Sequence, residues 1–412
     1  MSSSTVDLDQ VGLEQIDLTD VDLFVRGDHP EVFSRLRRSR PVHENISGNE
    51  RFIALTRYDD VLWAYRNHEL FGSTRGAILG GSFGRSEDSA AGRMLVASDL
   101  PGHRLLKQHI QAALSGSVTA RIREQIGRLL ERAIGQAIAD GGCDFATQIA
   151  TELPAGALMV VMGIGHADAH HLIGLTRRMV GFRDEVFVDT GGDVRLRLAW
   201  LQAEIFEFFA DLLAERRRQP GDDLISLLLR AQLNGRPMGD EEILYNCMNV
   251  AVGGNETSSY TACTGMLALM EHPAQYELLR SSPALLDSAI EEMLRYSSTN
   301  AYVQRVARRD TVRHGVPIRE GDSVTLWNFS ANRDEDQFPD AACFDVTRSP
   351  NRHLSYGSGL HRCIGAPIAQ AELALLFRRL LAAPVRWRPA GQARRLRSNF
   401  ILGITELPVE VG

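Results

Sequence analysis

Residues 356–365 read YGSGLHRCIG, and this segment determines how the rest of the chain is interpreted. It leads into a helix-like run, Ala366 to Leu380, so Cys363 lies just before a predicted helix N-terminus. Free N–H groups and the helix dipole favour an anion there, so we expect the thiol to ionise more readily than a free cysteine, with its pKa of about 8.5. Three glycines within nine residues would let the backbone approach something large. The segment therefore predicts a thiolate held against a flat ligand.

Two other interpretations of this spacing stay open. Cys363 could be a nucleophile with His361 as its base, since residues two apart in an extended segment project to the same side. No nearby Asn or Asp follows in a recognisable arrangement, and that chemistry has no use for the glycines. An inert structural cysteine is the second alternative, so other motifs must decide.

A second segment, GGNET at 253–257, lies in the middle of a long apolar stretch from Asp240 to Glu271. If helical, that stretch spans about 48 Å at 1.5 Å per residue, which indicates a central helix. Each glycine costs about 1 kcal/mol relative to Ala inside a helix, so their presence suggests that something approaches the backbone. Glu256 and Thr257 beside them form an acid–alcohol pair suited to relaying protons. Close helix packing with Glu256 on a solvated face is the alternative.

Two weaker features could belong to the same site. Glu292 and Arg295 are three residues apart on one predicted helical face, a spacing for which an ordinary surface salt bridge is the favoured explanation. Several cationic or imidazole side chains are scattered along the chain and could bind carboxylates if they converged, namely His103, Lys107, Arg305 and His361. Solvated surface charge is the usual explanation for such groups.

The remaining pattern predicts a mainly α fold with small β-sheets (α+β). An apolar helical period predicts helices near 101–114, 118–139, 144–163, 167–182, 194–217, 222–232 and 240–271. Strands are predicted at 52–55, 302–306, 311–312, 323–326 and after Ser398. No linker or repeat divides the 412 residues, so we expect one domain over 1–412, with residues 1–20 flexible.

Composition excludes several classes of protein. The net charge is −7, from 45 Lys and Arg against 52 Asp and Glu, and no long basic run occurs, so a nucleic-acid partner is not expected. Five cysteines are too few and odd in number for a secreted disulfide framework. The acidic first 24 residues do not resemble an export signal, and the most apolar later stretch, 153–165, is too short to cross a bilayer. We expect a cytoplasmic protein with no membrane partner, and a monomer.

Together, in this order and spacing, these features resemble the cytochrome P450 superfamily, in particular its soluble bacterial members. Residues 356–365 match the family's Phe-Gly-x-Gly-x-His-x-Cys-x-Gly signature except at the first position, where Tyr356 replaces Phe. The segment 253–257 resembles the oxygen-groove motif, and Glu292 with Arg295 resembles the buried Glu-x-x-Arg pair. The resemblance covers nearly the whole chain and implies a long central helix over haem.

The resemblance also implies roles for individual residues. Cys363 would be the thiolate ligand of the iron of haem b, and Glu256 with Thr257 the pair that delivers protons during oxygen activation. His103, Lys107, Arg305 and His361 match positions that hold the haem propionates. Glu292, Arg295 and Arg348 match a structural network behind the cysteine segment. Lys107 stands where relatives commonly have Arg, and Tyr356 brings a hydroxyl near the thiolate, where it could form a hydrogen bond that tunes the iron.

The implied activity is that of a monooxygenase that uses O₂ and two external electrons to hydroxylate or epoxidise a small molecule. The chain has no flavin or nicotinamide fingerprint and no cysteine cluster for an iron–sulfur centre, so a separate ferredoxin or flavodoxin with its reductase is implied. Residues 346–379 carry five Arg and one acid, a basic patch that would attract an acidic donor protein. Phenol coupling, desaturation, a peroxide-driven oxidation and a non-catalytic haem sensor remain alternatives.

Substrate recognition is the least constrained part. By position, the residues expected to line the pocket are Asn249, Val252, Gly253, Asn300, Ala301 and Phe400. Two Asn in an apolar lining favour a substrate with polar groups, such as an intermediate of antibiotic or other secondary metabolism. We expect 73–95 and 167–217 to form the lid.

Overall fold

The helices of the chain account for most of its fold. The computed structural model describes residues 12–48, 50–79 and 89–412, so part of the predicted lid segment 73–95 lies outside the described residues. The helices in these ranges are α1 Val21–Arg26, α2 His29–Ser39, α3 Tyr58–Arg66, α4 Gly102–Ala112, α5 Gly116–Ala139, α6 Phe145–Gln148, α7 Glu152–Val161, α8 His166–Val180, α9 Val194–Arg218, α10 Leu224–Arg230, α11 Asp240–Glu271, α12 Pro273–Ser281, α13 Leu286–Ser297, α14 Asn328–Ala331 and α15 Ala366–Ala382.

The predicted helices are present, with one correction. The segment 144–163 forms two helices, α6 and α7, rather than one. Pro154 has no N–H to continue an α-helical ladder from residue 150, but it fits the first turn of a new helix. A new helix therefore begins at Glu152.

The strands form five small sheets within the described residues. They are β1 Val42–Ser47, β2 Glu50–Leu55, β3 Phe71–Gly72, β4 Gly142–Asp144, β5 Gln232–Leu233, β6 Arg236–Pro237, β7 Val303–Ala307, β8 Thr311–Arg313, β9 Val316–Ile318, β10 Ser323–Leu326, β11 Trp387–Pro389, β12 Arg394–Arg395, β13 Ile404–Glu406 and β14 Pro408–Val411. The largest sheet has the order β1-β2-β10-β7-β3, with β10 parallel to β2 and the other pairs antiparallel. The predicted strands are confirmed, and the mainly α fold with small sheets is as expected.

Helix α11 crosses the core, as its length predicts. It begins after Gly239, whose N–H donates to the Glu242 carboxylate at 2.8 Å, and it ends before Pro273, which begins the next helix. Most of its side chains from Tyr245 to Leu269 are buried and pack against α7, α8, α9, α13 and α15. Asn255 and Glu256 of the GGNET segment are among these buried residues, whereas Gly253 and Gly254 are exposed.

A buried ion pair joins α13 to the loop that precedes the cysteine segment. Glu292 and Arg295 are both fully buried, and their side chains form two hydrogen bonds of 2.7 Å. Arg295 also donates to the carbonyl oxygens of Asn332, Ala341 and Cys343. The surface salt bridge that the spacing favours is therefore wrong, because tertiary packing encloses the pair.

The structure describes only part of residues 1–20, the N-terminal segment that is expected to be flexible. Residues 1–11 of the segment expected to be flexible lie outside the described residues. Ile16 and Leu18, by contrast, are buried, and the Leu18 N–H donates to the Asn45 side chain at 2.7 Å. The segment is therefore anchored from Ile16 onward, because its apolar side chains enter the core.

Among the described helices, none alone is long and apolar enough to span a membrane. A bent pair, Phe145–Val161 with His166–Val180, meets that test only by length and composition.

Candidate active site

The cysteine segment is a tight loop that ends at the N-terminus of α15. Residues Gly359–His361 form a 3₁₀ turn, and the Cys363 N–H donates to the Tyr356 carbonyl at 2.8 Å. Gly359 has a φ of +66°, and a Cβ there would lie 2.8 Å from the Tyr65 carbonyl oxygen. Only glycine fits this position, which holds the loop against α3 and directs Cys363 inward.

A cavity of about 330 Å³ lies between this loop and the middle of α11. Its wall includes Cys363, Gly253 and Thr257, together with residues of α4, α7, β7 and α15. A Cβ added at Gly254 would meet no atom within 4 Å, so the glycines leave one face of α11 open. The thiol and the GGNET segment thus line the same cavity.

The ionisation expected of Cys363 needs a correction. Burial raises the pKa of its thiol, and the N–H groups of Gly365 and Ala366 at the start of α15 lower it without offsetting the burial. The predicted stabilisation by the helix N-terminus is therefore present, but it is weaker than the cost of removing a thiolate from water. A positively charged ligand atom in the cavity would supply what the protein alone does not.

The geometry does not support a Cys363–His361 catalytic pair. The segment is a 3₁₀ turn rather than extended, so the two side chains do not project together. The His361 Nε2 lies 3.0 Å from the Ser73 hydroxyl, and the centroid of its ring lies 4.3 Å from that of His103, with the two rings tilted by 58°. Within the described residues, no hydrogen bond joins it to Cys363.

The four scattered cationic or imidazole residues converge on the cavity wall. His103 and Lys107 come from α4, Arg305 from β7 and His361 from the cysteine segment. Burial is the main cause that lowers the pKa of His103 to about 4 and that of His361 to about 2, and the nearby positive charges of Lys107 and Arg305 act on both in the same direction. Both imidazoles are therefore neutral hydrogen-bonding groups near neutral pH, and the positive charge comes from Lys107 and Arg305.

Arg305 is a buried cation on the cavity wall whose counter-ion is absent among the described residues. Its side chain is buried, and in the described part of the chain it forms one hydrogen bond, of 2.7 Å to the Gln304 carbonyl, and no salt bridge. His103 Nδ1 nearby is buried without a partner in that same part. A buried guanidinium without a counter-ion is costly, so this region suits a ligand that carries carboxylates.

The residues present therefore fit a flat, anionic, iron-containing cofactor. One wall offers a cysteine sulfur that could bind iron, the glycines leave one face of α11 open, and four further side chains would offer charge and hydrogen bonds to carboxylates, namely Arg305, Lys107, His103 and His361. This donor set matches haem with its two propionates.

Glu256 and Thr257, the pair expected to relay protons, face different surroundings. Thr257 lines the cavity, and its hydroxyl donates to the Gly253 carbonyl at 2.7 Å. Glu256 is completely buried behind it and pairs at 3.3 Å with Arg177 of α8. The solvated face considered for Glu256 is therefore wrong. Burial raises the pKa of Glu256, and Arg177 lowers it.

Two residues of this region were not predicted from the sequence. Arg177 lies within a predicted helix, and no local pattern distinguishes it from a surface arginine. Glu372 of α15 lies on the cavity wall, where burial raises its carboxyl pKa to about 8 although the Ser258 hydroxyl lowers it. Its only sequence signal is an acid among the apolar residues of 366–380.

The expected pocket residues divide into two groups. Asn249, Gly253 and Asn300 lie on the cavity wall. Val252, Ala301 and Phe400 are not part of that wall as described, and belong to apolar clusters beside it. Val252 is one residue from Gly253, and the helix turns its side chain about 100° away from the cavity. Phe400 instead packs against Tyr302, with 5.3 Å between the two ring centroids.

Lys107 and Tyr356, the two residues that depart from the family pattern, each have a defined position in or beside the cysteine segment. Lys107 donates to the Leu360 carbonyl at 2.8 Å, so it already braces the cysteine segment. The Tyr356 hydroxyl is buried without a hydrogen-bond partner among the described residues, so the partner that it needs is not supplied there. In the predicted basic patch at 346–379, Arg348 pairs with Glu292 and does not contribute a free surface charge. Arg352, Arg362 and Arg378 are exposed.

Comparison with known proteins agrees with this geometry. A sequence model of the family described as Cytochrome P450 matches residues 197–282 and 279–383. Linalool 8-monooxygenase from Pseudomonas putida is 32% identical over 410 residues, covering 96% of this chain and 99% of that protein.

Two solved structures are similar over nearly the whole chain. Mycobacterium marinum cytochrome P450 CYP268A2, in complex with pseudoionone, has a TM-score of 0.87 and 28% identity, covering 97% of this chain and 99% of that one. The P450 OxyD, involved in the biosynthesis of vancomycin-type antibiotics, has a TM-score of 0.86 and 28% identity, covering 96% and 99%.

Proposed function

The chain belongs to the cytochrome P450 family and is a monooxygenase, and from that premise we propose that it oxidises a small, partly polar secondary-metabolite intermediate by hydroxylation or epoxidation. The observation that carries this proposal is the shared cavity, with Cys363 on one wall and Thr257, Asn249 and Asn300 on others. The thiol and the polar side chains that could contact a substrate thus face one cavity.

We propose that the Cys363 thiolate would bind the iron of haem b and that Arg305, Lys107, His103 and His361 would hold the propionates. When bound, the haem supplies the activation of O₂ and the oxidation of the substrate. The buried guanidinium of Arg305 and the unpartnered Nδ1 of His103 support this placement, because both gain a partner from a carboxylate.

Thr257 and Glu256 are proposed to manage protons at the other wall. The Thr257 hydroxyl donates to Gly253, so its oxygen remains free to accept a hydrogen bond from a group in the cavity. Glu256 stands behind it with one oxygen, Oε1, unpartnered in the described residues and the other held by Arg177. A rotation of Glu256 away from Arg177 would carry a proton toward the cavity.

The preference for a partly polar substrate rests on two amides in a mostly apolar wall. Asn249 Oδ1 accepts from the Val96 N–H, and Asn300 Oδ1 lies 3.4 Å from the Asn328 amide. These contacts leave the Nδ2 groups of both side chains without a partner in the described part of the protein. A substrate carbonyl or hydroxyl would satisfy them, whereas a plain hydrocarbon would leave them unpaired.

Electrons are proposed to come from a separate ferredoxin or flavodoxin with its reductase. Arg352, Arg362 and Arg378 are exposed near the cysteine segment, and the acid of the same stretch, Glu372, is buried. The exposed charges of this stretch are therefore positive, which suits an acidic protein partner.

Substrate-binding difference spectra of the haem-loaded enzyme test the substrate class. We expect spectral shifts with oxygenated natural products, and weaker binding of those compounds to an Asn249→Leu and Asn300→Leu double variant. One relative is named a linalool monooxygenase, and one similar structure is a complex with pseudoionone. Terpenoids are therefore a second candidate class of substrate. Shifts with hydrocarbons or fatty acids alone, unchanged in the double variant, would overturn the proposed class but not the monooxygenase activity.

A further inference from the structure

Three metal-ligating side chains meet outside the cavity, where α8 packs against α7. Glu152 is the first residue of α7, and His166 and His170 lie in the first two turns of α8. Glu152 Oε2 is 2.9 Å from the His166 Nε2, Glu152 Oε1 is 2.9 Å from the His170 Nε2, and the two Nε2 atoms are 3.1 Å apart. None of the three belongs to the described cavity wall.

The local sequence and the turn between the helices explain this convergence. Residues four apart on a helix share one face, so both imidazoles of α8 point the same way. The chain bends by 115° between the α6–α7 segment and α8, and this places that face beside the Glu152 carboxylate. Glu152 is mostly buried and the imidazoles are partly exposed, so the group is open to solvent on one side.

Hydrogen bonding alone does not satisfy this arrangement. A neutral imidazole carries one N–H and one lone pair. If both Nε2 atoms donate to the ionised carboxylate, the nitrogen–nitrogen contact of 3.1 Å joins two donors and no acceptor. If either Nε2 instead presents its lone pair, that lone pair faces a carboxylate oxygen. No assignment of protons to the two rings makes all three contacts favourable, but a cation among the three atoms does.

The spacing also matches a metal site. Zn²⁺ binds imidazole nitrogens at about 2.0–2.1 Å and carboxylate oxygens at about 2.0–2.2 Å, so neighbouring ligand atoms of a tetrahedral site are about 3.3–3.4 Å apart. The observed separations of 2.9 to 3.1 Å require only small side-chain shifts to reach this value. Two imidazoles and one carboxylate are ligands that Zn²⁺ and similar divalent transition metals prefer.

We propose that Glu152, His166 and His170 form a divalent transition-metal site that joins the start of α7 to the start of α8. Water completes the coordination on the exposed side. The bound ion holds the two helices at a fixed angle and therefore has a structural role. This inference does not depend on the proposed substrate or electron donor.

Zn²⁺ titration of the untagged, haem-loaded enzyme tests the site. Equilibrium dialysis followed by metal analysis should find one Zn²⁺ per chain that His166→Gln and His170→Gln each weaken by at least about tenfold, the loss typical of removing even a supporting group. His171→Gln is the matched control, because His171 is an exposed histidine of the same helix whose ring lies 5.9 Å from that of Phe208. We expect its affinity to equal that of the wild type.

A second measurement separates the site from a merely structural hydrogen-bond cluster. Zn²⁺ should raise the Tm of the wild type and of His171→Gln as its free concentration increases, and at the same concentrations should raise the Tm of His166→Gln and His170→Gln less. The haem spectrum provides the folding control, since the cluster lies outside the cavity. Zn²⁺ binding and Tm shifts that are the same in all four proteins, or absent from all four, would overturn the proposal.

Discussion

The Glu256 carboxylate of α11 is held by Arg177 of α8, with 3.3 Å between Oε2 and Nε. Glu256 is completely buried, and Arg177 is the one basic side chain that pairs with it among the described residues. The contact connects the helix that carries the GGNET segment to a helix of the predicted lid. Movement of α8 would therefore change the charge environment of an acid beside the cavity.

Replacing Arg177 by Gln should shift the pH dependence of turnover. Burial raises the pKa of Glu256, and Arg177 is the largest influence that lowers it. Without the guanidinium the carboxyl stays protonated to higher pH, so the alkaline limb of the kcat profile, on which Glu256 loses the proton that it is proposed to carry, should move toward higher pH. Arg178→Gln is the control, because Arg178 pairs with Glu204 on the partly exposed side of α8. Identical profiles for both variants and the wild type would contradict the assigned role of Arg177.

Glu256→Gln should change how stability depends on pH. Because burial raises the pKa of Glu256 above its usual value of 4.5, the folded state holds its proton where the unfolded state has lost it. This carboxyl therefore favours folding fully below pH 4.5, and its contribution falls as pH rises toward the folded pKa. Urea unfolding from pH 4.5 upward should show the wild type losing stability relative to Glu256→Gln. A constant difference across that range would show that Glu256 is not the titrating group.

Thr257→Ala should keep haem and substrate binding but lower the coupling of electron use to product. The variant loses a hydroxyl on the cavity wall that can accept a hydrogen bond, so more of the reducing equivalents should emerge as hydrogen peroxide. Thr257→Ser retains the hydroxyl and should stay close to wild type. The ratio of peroxide to product per NAD(P)H consumed measures this, and coupling equal to wild type in the Ala variant would exclude the proton role.

Cys363→Ser should abolish the thiolate-type Soret band of the reduced CO complex. Serine is a poorer ligand for the iron and donates less electron density than a thiolate. Cys343→Ser is the control, because Cys343 is an exposed cysteine outside the cavity. Retention of the thiolate-type band in Cys363→Ser would contradict the proposed ligation.

Glu292→Gln should destabilise the protein by about 3–5 kcal/mol, the usual cost of breaking a buried ion pair. The change leaves Arg295 fully buried, and Arg348 nearly so, with no carboxylate to balance them. Glu291→Gln is the neighbouring control, since the Glu291 side chain is about one-third exposed, and it should cost about 0–1 kcal/mol. Equal shifts of the urea midpoint in the two haem-loaded variants would rule out a special role for the buried pair.

Several features of this protein could be predicted from the sequence because they depend on neighbouring residues. The glycines around Cys363 specify a loop before a helix, and the apolar stretch ending at Pro273 specifies the long central helix. Local spacing also placed Thr257 and Gly253 beside each other on that helix. These predictions hold because turns and helices are set mostly by short-range sterics and hydrogen bonds.

The sequence by itself determined the helical and strand segments and the residues of the cysteine loop, whereas the tertiary structure decided which side chains meet. Val252 turns away from the cavity while Gly253 faces it, and Glu256 pairs with Arg177, 79 residues away. The physical reason is that burial and pairing depend on how helices rotate and pack against one another, which joins residues far apart in the chain and leaves no local pattern between them.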